Sequence, residues 1–397
     1  MQLDFHYYAT YAAAYIAGYS HEESLKIAYC AQFVDCCSKT LLLKIGGPVS
    51  AATTQLQLEL MEADTDLVGL QNITRIWASF HFLPGDLYAK KKKCSRAYLN
   101  KYRLICNTNS ELLIDTVERA RGKGSQAVGV AMHILADTWA HRYFAGTPSL
   151  VINNTNYDFY EIIPDGNGFT ERLVKFNHNP ATPDVPEKGI YTNSIYQGNE
   201  NSIMNLGHGR AGHFPDYSYA RYKYMPAWGG YSEIVKDNPS DFRFAFMQMI
   251  YAMQTLRTEG GRFEIYRYAD EEIEPWSDEI NEILQKRQID ACADWKAFAE
   301  KLSGCEVPDF DINQYQDEYM NADKDSKDDT FLGRFIIAAL GQKSMVTNRI
   351  FTSGSLLAGF SVDFSKKGFK GMKDFQKLVN EYTKSQLPIE NRDDFLR

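Results

Sequence analysis

No run of about 18 apolar residues occurs anywhere in this chain of 397 residues, so the sequence contains no candidate membrane-spanning helix. The opening MQLDFHYY has no basic stretch followed by an apolar core, so no secretory signal is read there and a cytoplasmic location is expected. Basic residues are in the minority: 43 Lys and Arg against 51 Asp and Glu give a net charge of −8. That balance disfavours a surface devoted to clamping nucleic acid, which needs clustered cations against phosphates. The seven cysteines form no C-x-x-C pair, and their odd number leaves at least one unpaired within a monomer, so reduced thiols are expected. The phosphate-cradling loop G-x-x-x-x-G-K-[ST], the dinucleotide fingerprint and the nucleophile elbow G-x-S-x-G are all missing, and Phe351-Thr-Ser-Gly-Ser355 does not supply the last. No repeat is apparent. Histidine is scarce too, at eight residues, so where the imidazoles fall carries information.

What is present is a globular composition, 44% hydrophobic and 13% aromatic. Ser20-His-Glu-Glu23 fits a capping box and starts a helix over about 21 to 37, with Asp35 on or beside the stripe of Leu25, Ala28 and Gln32. TTQLQLELME (53 to 62) alternates, and RIWASFHFL (75 to 83) is strand-like ahead of Pro84-Gly85-Asp86, which suggests a β-hairpin. Ser110 to about Ala145 is strongly helical, interrupted near Gly122-Lys-Gly124 and ended by Gly146. Residues 147 to 230 are rich in Asn, Gly, Pro and Tyr with short strand-like pieces (SLVI, YDFYEII, FTERLVKF) and read as an insertion. Helical patterns return at about 240 to 257, 277 to 303, 330 to 341 and 367 to 385. The expected organisation is one mainly α domain over 1–397, with the loop-rich insertion at about 147–230 and a helical C-terminal extension over about 261–397.

The histidines cluster with acids. In AMHILADTWAHRYFAG, His133, Asp137 and His141 stand at four-residue intervals; four residues advance a helix by about 400°, so the three side chains project from one stripe. Val128, Val130, Ile134 and Leu135 mark that helix as buried, and buried ionisable groups need compensation. GHGRAGHFPD brings His208, His213 and Asp216 into a glycine-rich turn. His81 in FHFLPGD, Asp35 in FVDCC, and Asp4 and His6 in LDFHYY complete a set of nitrogen and oxygen donors suited to Zn²⁺ or another divalent ion. Asp137 is placed to bridge two ions. His21 and His178 read as surface residues outside the set. Lys90 to Lys93 with Arg96 form a local basic patch that could draw in an anionic substrate. Trp139, Phe144, Tyr217, Tyr222 and Trp228 either pack in the core or line a cleft for a base or a lipid.

The donor order, with the stretches DFHYYATY, AQFVDCCS, FHFLPGD, HILADTWAHRYFAG and GHGRAGHFPD, resembles the zinc-dependent phospholipase C and P1 nuclease superfamily, and within it an uncharacterised bacterial and fungal branch, over roughly residues 1 to 260. The resemblance implies a mostly helical fold with up to three zinc ions at the base of a cleft. It implies that Asp35, His81, His133 and Asp137 hold one ion, that Asp137, His6 and an N-terminal group hold a second, and that His141, His213 and Asp216 hold the third. His208 rivals His213, and Asp4 is an alternative to the N-terminal group. The implied reaction is hydrolysis of a phosphoester, in a phospholipid headgroup or a nucleotide, by a metal-activated hydroxide, with Asp35 and Asp137 as the catalytic acids. The competing expectation is a metal-stabilised binding or structural protein that hydrolyses nothing.

Overall fold

A computed structural model describes residues 1–63, 67–153, 155, 158–166, 168–177, 182–193 and 206–354. Among them helices dominate, and a small antiparallel sheet is set between the two helical halves of the chain. A π-helical turn, Asp4–Ala9, continues directly into α1 (Thr10–Ile16). Then follow α2 (His21–Cys36), α3 (Lys39–Ile45), α4 (Gln57–Ala63), α5 (Leu67–Phe80), α6 (Arg96–Tyr102), α7 (Glu111–Ala120) and α8 (Gly124–Ala140). The insertion carries α9 (Leu150–Asn153), β1 (Tyr160–Asp165), β2 (Gly168–Leu173), β3 (Lys175–Asn177), β4 (Ile190–Thr192), α10 (Gly207–Ala211), β5 (Arg221–Tyr224) and β6 (Ile234–Asp237). The last third is helical again: α11 (Asn238–Arg257), α12 (Asp270–Ile273), α13 (Ser277–Gln285), α14 (Cys292–Ser303), α15 (Gln316–Asn321) and α16 (Phe331–Thr352).

The α2 capping box forms as the sequence predicts: Ser20 accepts from the Glu23 amide, and Glu23 reaches back to the Ser20 amide. The break at Gly122 to Gly124 separates α7 from α8. Helix α8 is the axis of the molecule, flanked by α2, α5, α7, α11 and α16. Every residue from Gln126 to Ala140 is buried, the condition of a helix packed on all sides. Its tightest neighbour is α2. A β-carbon placed on Gly129 would lie 2.4 Å from the Ile27 carbonyl oxygen and 2.6 Å from Cys30 Cβ, so only glycine lets the two backbones come this close. That approach carries Asp35, at the end of α2, up to the polar face of α8.

One apolar cluster runs from Met1 and Phe5 through Ile134 and Leu135 to Trp295 and Phe335 in the last third. Phe5 meets Trp295 edge-to-face with ring centroids 5.9 Å apart. A second, aromatic cluster of Phe144, Phe159, Phe214, Tyr222 and Tyr224 lies under the sheet, whose strand order is β2-β1-β5-β6; β3 and β4 form a separate parallel pair. Glu161 on β1, 1% exposed at its side chain, is clamped by Arg172 at 2.6 Å and Arg287 at 2.5 Å, tying the insertion to the α13–α14 connection.

Several local readings are corrected. The stretches at 53 to 62 and 75 to 83 are not a hairpin: they enter α4 and α5. In α5 the apolar residues Leu70, Ile73, Ile76 and Phe80 recur at helical spacing, a period that the window starting at Arg75 is too short to register. Antiparallel hairpin pairing occurs instead between β1 and β2 inside the insertion. SLVI falls in α9 rather than a strand, and 277 to 303 is two helices. Helix α8 ends at Ala140, with His141 as its C-cap, six residues before Gly146. The segment 367 to 385 lies outside the described residues.

Candidate metal centre

Three elements converge on the C-terminal half of α8. The π-turn directs His6 inward, α2 brings Asp35, the residue following α5 is His81, and α8 supplies His133 and Asp137, with His141 just past its end. A π-helical turn at the N-terminus is the kind of local irregularity that re-aims a functional side chain. After His141 the chain reverses through Tyr143, which holds φ 79°, and pairs with Cys106: the Tyr143 amide donates to the Cys106 carbonyl, and the Cys106 amide to the Phe144 carbonyl. A non-glycine residue in that region stores strain of the kind found beside functional sites.

The two oxygens of Asp137 face different partners. Its Oδ1 lies 3.2 Å from His6 Nε2 and 2.8 Å from the Met1 amino nitrogen. Its Oδ2 lies 3.2 Å from His81 Nδ1, 3.2 Å from His133 Nε2 and 3.4 Å from His141 Nδ1. Asp35 stands at 3.7 to 3.9 Å from His81, His6 and His133. On the other side Asp216 Oδ1 is 3.1 Å from His141 Nε2, 3.2 Å from His208 Nε2 and 3.1 Å from the Met1 nitrogen. Three groups of donors result, each gathered within 4.8 Å: Asp35, His81 and His133; His6, His133 and Asp137; and His141, His208 and Asp216.

Backbone carbonyls orient two of the rings. His81 Nε2 donates to the Thr53 carbonyl at 3.0 Å, which turns Nδ1 toward Asp137; His141 Nδ1 donates to the His81 carbonyl at 2.7 Å, which turns Nε2 toward Asp216. This is the outer-shell support that metal-binding imidazoles use. Other nitrogens make no hydrogen bond: both ring nitrogens of His6, despite the 3.2 Å approach of Nε2 to Asp137, and Nδ1 of His133 are buried without one. Buried polar atoms are rarely left so, and a missing ion is one of the standard reasons.

Burial drives the imidazoles of His6, His133 and His141 down to a pKa of about 4, so they are neutral, as metal ligation requires. His81 moves the other way: burial lowers it, but its contact with the Asp137 carboxylate prevails. Burial also opposes ionisation of Asp137 and Asp216, yet the surrounding imidazoles and the Met1 ammonium hold both well below the usual carboxylate range. Desolvation raises Asp35, even though 31% of its side chain stays accessible. Against the cost of burial, Asp137, Asp216 and Asp35 raise the Met1 amino group to about 11.

A family described as "Family of unknown function (DUF6765)" matches residues 1–350. The chain belongs to that family. The matched span contains every residue of the cluster, from Met1 to Asp216. Neither the curated proteins nor the solved structures contain a match.

Not every residue named from the sequence joins the cluster. The imidazole beside Asp216 and His141 is His208; His213 is 55% exposed at its side chain, with its nearest ring nitrogen 3.7 Å from Asp216. The helical turn Gly207–Ala211 points His208 inward, whereas His213 follows Gly212 and turns out. Asp4 is in none of the groups. It accepts from the Phe5 amide at 2.7 Å and faces the start of α14 near Ala291, with burial raising it to about 6. Trp139, Phe144, Tyr217, Tyr222 and Trp228 are all buried and pack in the interior instead of lining an open cleft. Lys91 of the basic patch donates to the Trp228 carbonyl and lies 4.5 Å over Tyr102. His21 bonds Tyr11 at 2.7 Å, away from the cluster, and His178 lies outside the described residues. The supporting carbonyls of Thr53 and His81 carry no sequence signal, since every residue has one. All seven cysteines are free, and no helix among the described residues is long and apolar enough to cross a membrane.

Proposed function

We propose that this protein is a metal-dependent hydrolase, with zinc the best-fitting ion, that cleaves phosphoester bonds in a small-molecule or lipid substrate. The donor set supports it. Ligand atoms at ~2.0–2.1 Å around a tetrahedral ion sit roughly 3.3 Å apart, and the separations around Asp137 are 3.2 Å from His6, His81 and His133. One observation carries the reading: Asp137 turns one oxygen to His6 and Met1 and the other to His81 and His133, as a carboxylate bridging two cations would.

On this reading Asp35, His81, His133 and Asp137 hold one ion, His6, Asp137 and the Met1 amino group, its proton displaced by the cation, a second, and His141, His208 and Asp216 a third. A bound divalent cation supplies Lewis acidity toward a phosphoryl oxygen and brings the pKa of coordinated water toward 7. Asp35 is the partly accessible carboxylate among the donors of the first ion, and its raised pKa suits it to take a proton from an attacking water. His6, His133 and His141, neutral and sunk in the protein, exclude bulk water and offer lone pairs without first losing a proton.

A second reading, a structural metal centre, draws on the same burial: apart from Asp35 and His208, the grouped side chains are almost wholly enclosed. Elemental analysis of the purified protein, with turnover of phosphodiester and phosphomonoester substrates before and after chelation, separates the two. Bound metal with chelator-sensitive turnover supports the hydrolase; bound metal without turnover leaves the structural reading; no metal sinks both.

A further inference from the structure

Beyond the metal centre, a cavity of about 540 Å³ opens between α4, α5, α16 and the segment 49 to 55. Two of its lining side chains are cations without a carboxylate partner among the described residues. Arg75, on α5, has its Nε buried and unbonded, and among the described residues its guanidinium bonds Gln71 Oε1 through Nη2 at 3.4 Å. Lys343, on α16, gives two of its three N–H donors to the carbonyls of Ser50 at 2.5 Å and Ala52 at 2.7 Å. Burial and the charge of Arg75 lower Lys343 to about 8, with only the Cys37 thiol opposing, and burial lowers Arg75 as well. Two half-buried like charges facing one space are costly unless an anion joins them.

The acids that line the same cavity are already engaged. Glu59 accepts from the Thr40 amide and hydroxyl at 2.7 and 2.6 Å and from the Leu56 amide at 3.2 Å. Glu62, on the exposed rim, stands 3.8 Å from Lys39. Among the described residues of the lining, Lys39, Arg75 and Lys343 against Glu59 and Glu62 leave one positive charge in excess. Asn72, Ser50 and Gln55 add neutral polar groups.

We propose that this cavity binds a phosphate-type oxyanion, with Arg75 and Lys343 as its principal contacts. A planar guanidinium offers paired donors to such an oxyanion, and an ammonium supplies the point charge. The volume accommodates the anion together with a small organic group. The cavity is one layer from the metal centre: Gln55 in its wall accepts from Trp77 Nε1 at 3.0 Å, and the Trp77 ring lies 4.9 Å from that of His81. The anion site does not depend on the hydrolase reading, because none of its residues belongs to the metal groups.

Isothermal titration calorimetry of the full chain, metal-stripped and metal-loaded, with inorganic phosphate and separately with glycerol phosphate, tests it. Both forms should bind at least one probe, and the tighter probe tells free phosphate from a phosphomonoester. Arg75→Gln and Lys343→Met should each weaken binding about tenfold or more, Arg75→Lys should weaken it less, and His133→Ala should leave it unchanged. Thermal unfolding without ligand checks that each variant is folded, and in the parent protein phosphate should raise the melting temperature with or without metal. Absence of binding by both probes overturns the proposal. So does binding that vanishes on metal removal and survives Arg75→Gln, since the anion would then sit on the metal centre.

Discussion

The imidazoles of His6 and His133 lie face to face, with ring centroids 3.9 Å apart and planes 22° from parallel. Two imidazolium ions could not be held that way in a buried site; two neutral rings can, each free to direct a nitrogen at a cation beside Asp137.

Burial of these rings and of His141 sets the response to acid. The unfolded chain protonates its imidazoles near the ordinary 6.5, whereas the folded protein holds His6, His133 and His141 neutral down to about 4. The unfolded state therefore binds more protons in this window, and stability falls as the pH drops from 6.5 toward 4. Asp4 and Asp35, whose carboxyls burial raises, offset part of that loss, while Asp137 and Asp216, with depressed pKa values, add to it at lower pH. The Met1 ammonium works from the other side: its contribution is complete below its ordinary 8 and is lost as the pH rises toward 11. Thermal melts of metal-free protein across this range should trace a plateau that declines at both ends.

The donor groups also predict metal stoichiometry. His6→Ala and His208→Ala should each lower the bound metal by about one ion per chain, from different groups. Asp137→Asn should cost metal in more than one group and abolish turnover, while His213→Ala should leave the metal content as it was. Elemental analysis of the four purified variants reads this directly, and a loss in His213→Ala equal to that in His208→Ala would reverse the assignment.

Gly129→Ala tests whether the α2–α8 approach builds the centre. The added methyl meets the Ile27 carbonyl oxygen and Cys30 Cβ, so the helices must separate, at a cost of about 1–3 kcal/mol. Asp35 would withdraw from His81 and His133. Calorimetric unfolding should show the destabilisation in metal-free protein, and metal titration should show weaker binding at the group that contains Asp35.

The Met1 nitrogen supplies another test. It is buried, 2.8 Å from Asp137 and 3.1 Å from Asp216, between two of the donor groups. Protein beginning at Met1 should retain more metal on dialysis than protein carrying extra residues ahead of it. Equal retention would remove the amino group from the donor set.

Much of this arrangement is legible in the sequence because it rests on local periodicity. The four-residue spacing of His133, Asp137 and His141 gives their shared face, and Ser20 with Glu23 gives the start of the helix that brings Asp35. What escapes is non-local. Whether His208 or His213 turns inward depends on the conformation of Gly212, at φ 65°, and on the walls around Asp216, neither of which spacing encodes. The helical nature of α5 is hidden because its last residues, rich in aromatic and β-branched types, mimic a strand when read alone. The anion cavity gives no motif at all: Arg75 and Lys343 are far apart in the chain and meet only through packing.

The wrapping of α8 fixes when the centre can be completed. Its donors extend from Met1 to Asp216, and the helix that closes over α8 ends only at Thr352. During vectorial synthesis the earliest residues must wait, their imidazoles in water, until almost all of the described chain has left the ribosome. Any cation taken up there would thus bind late, after the chain that walls the centre has folded around it.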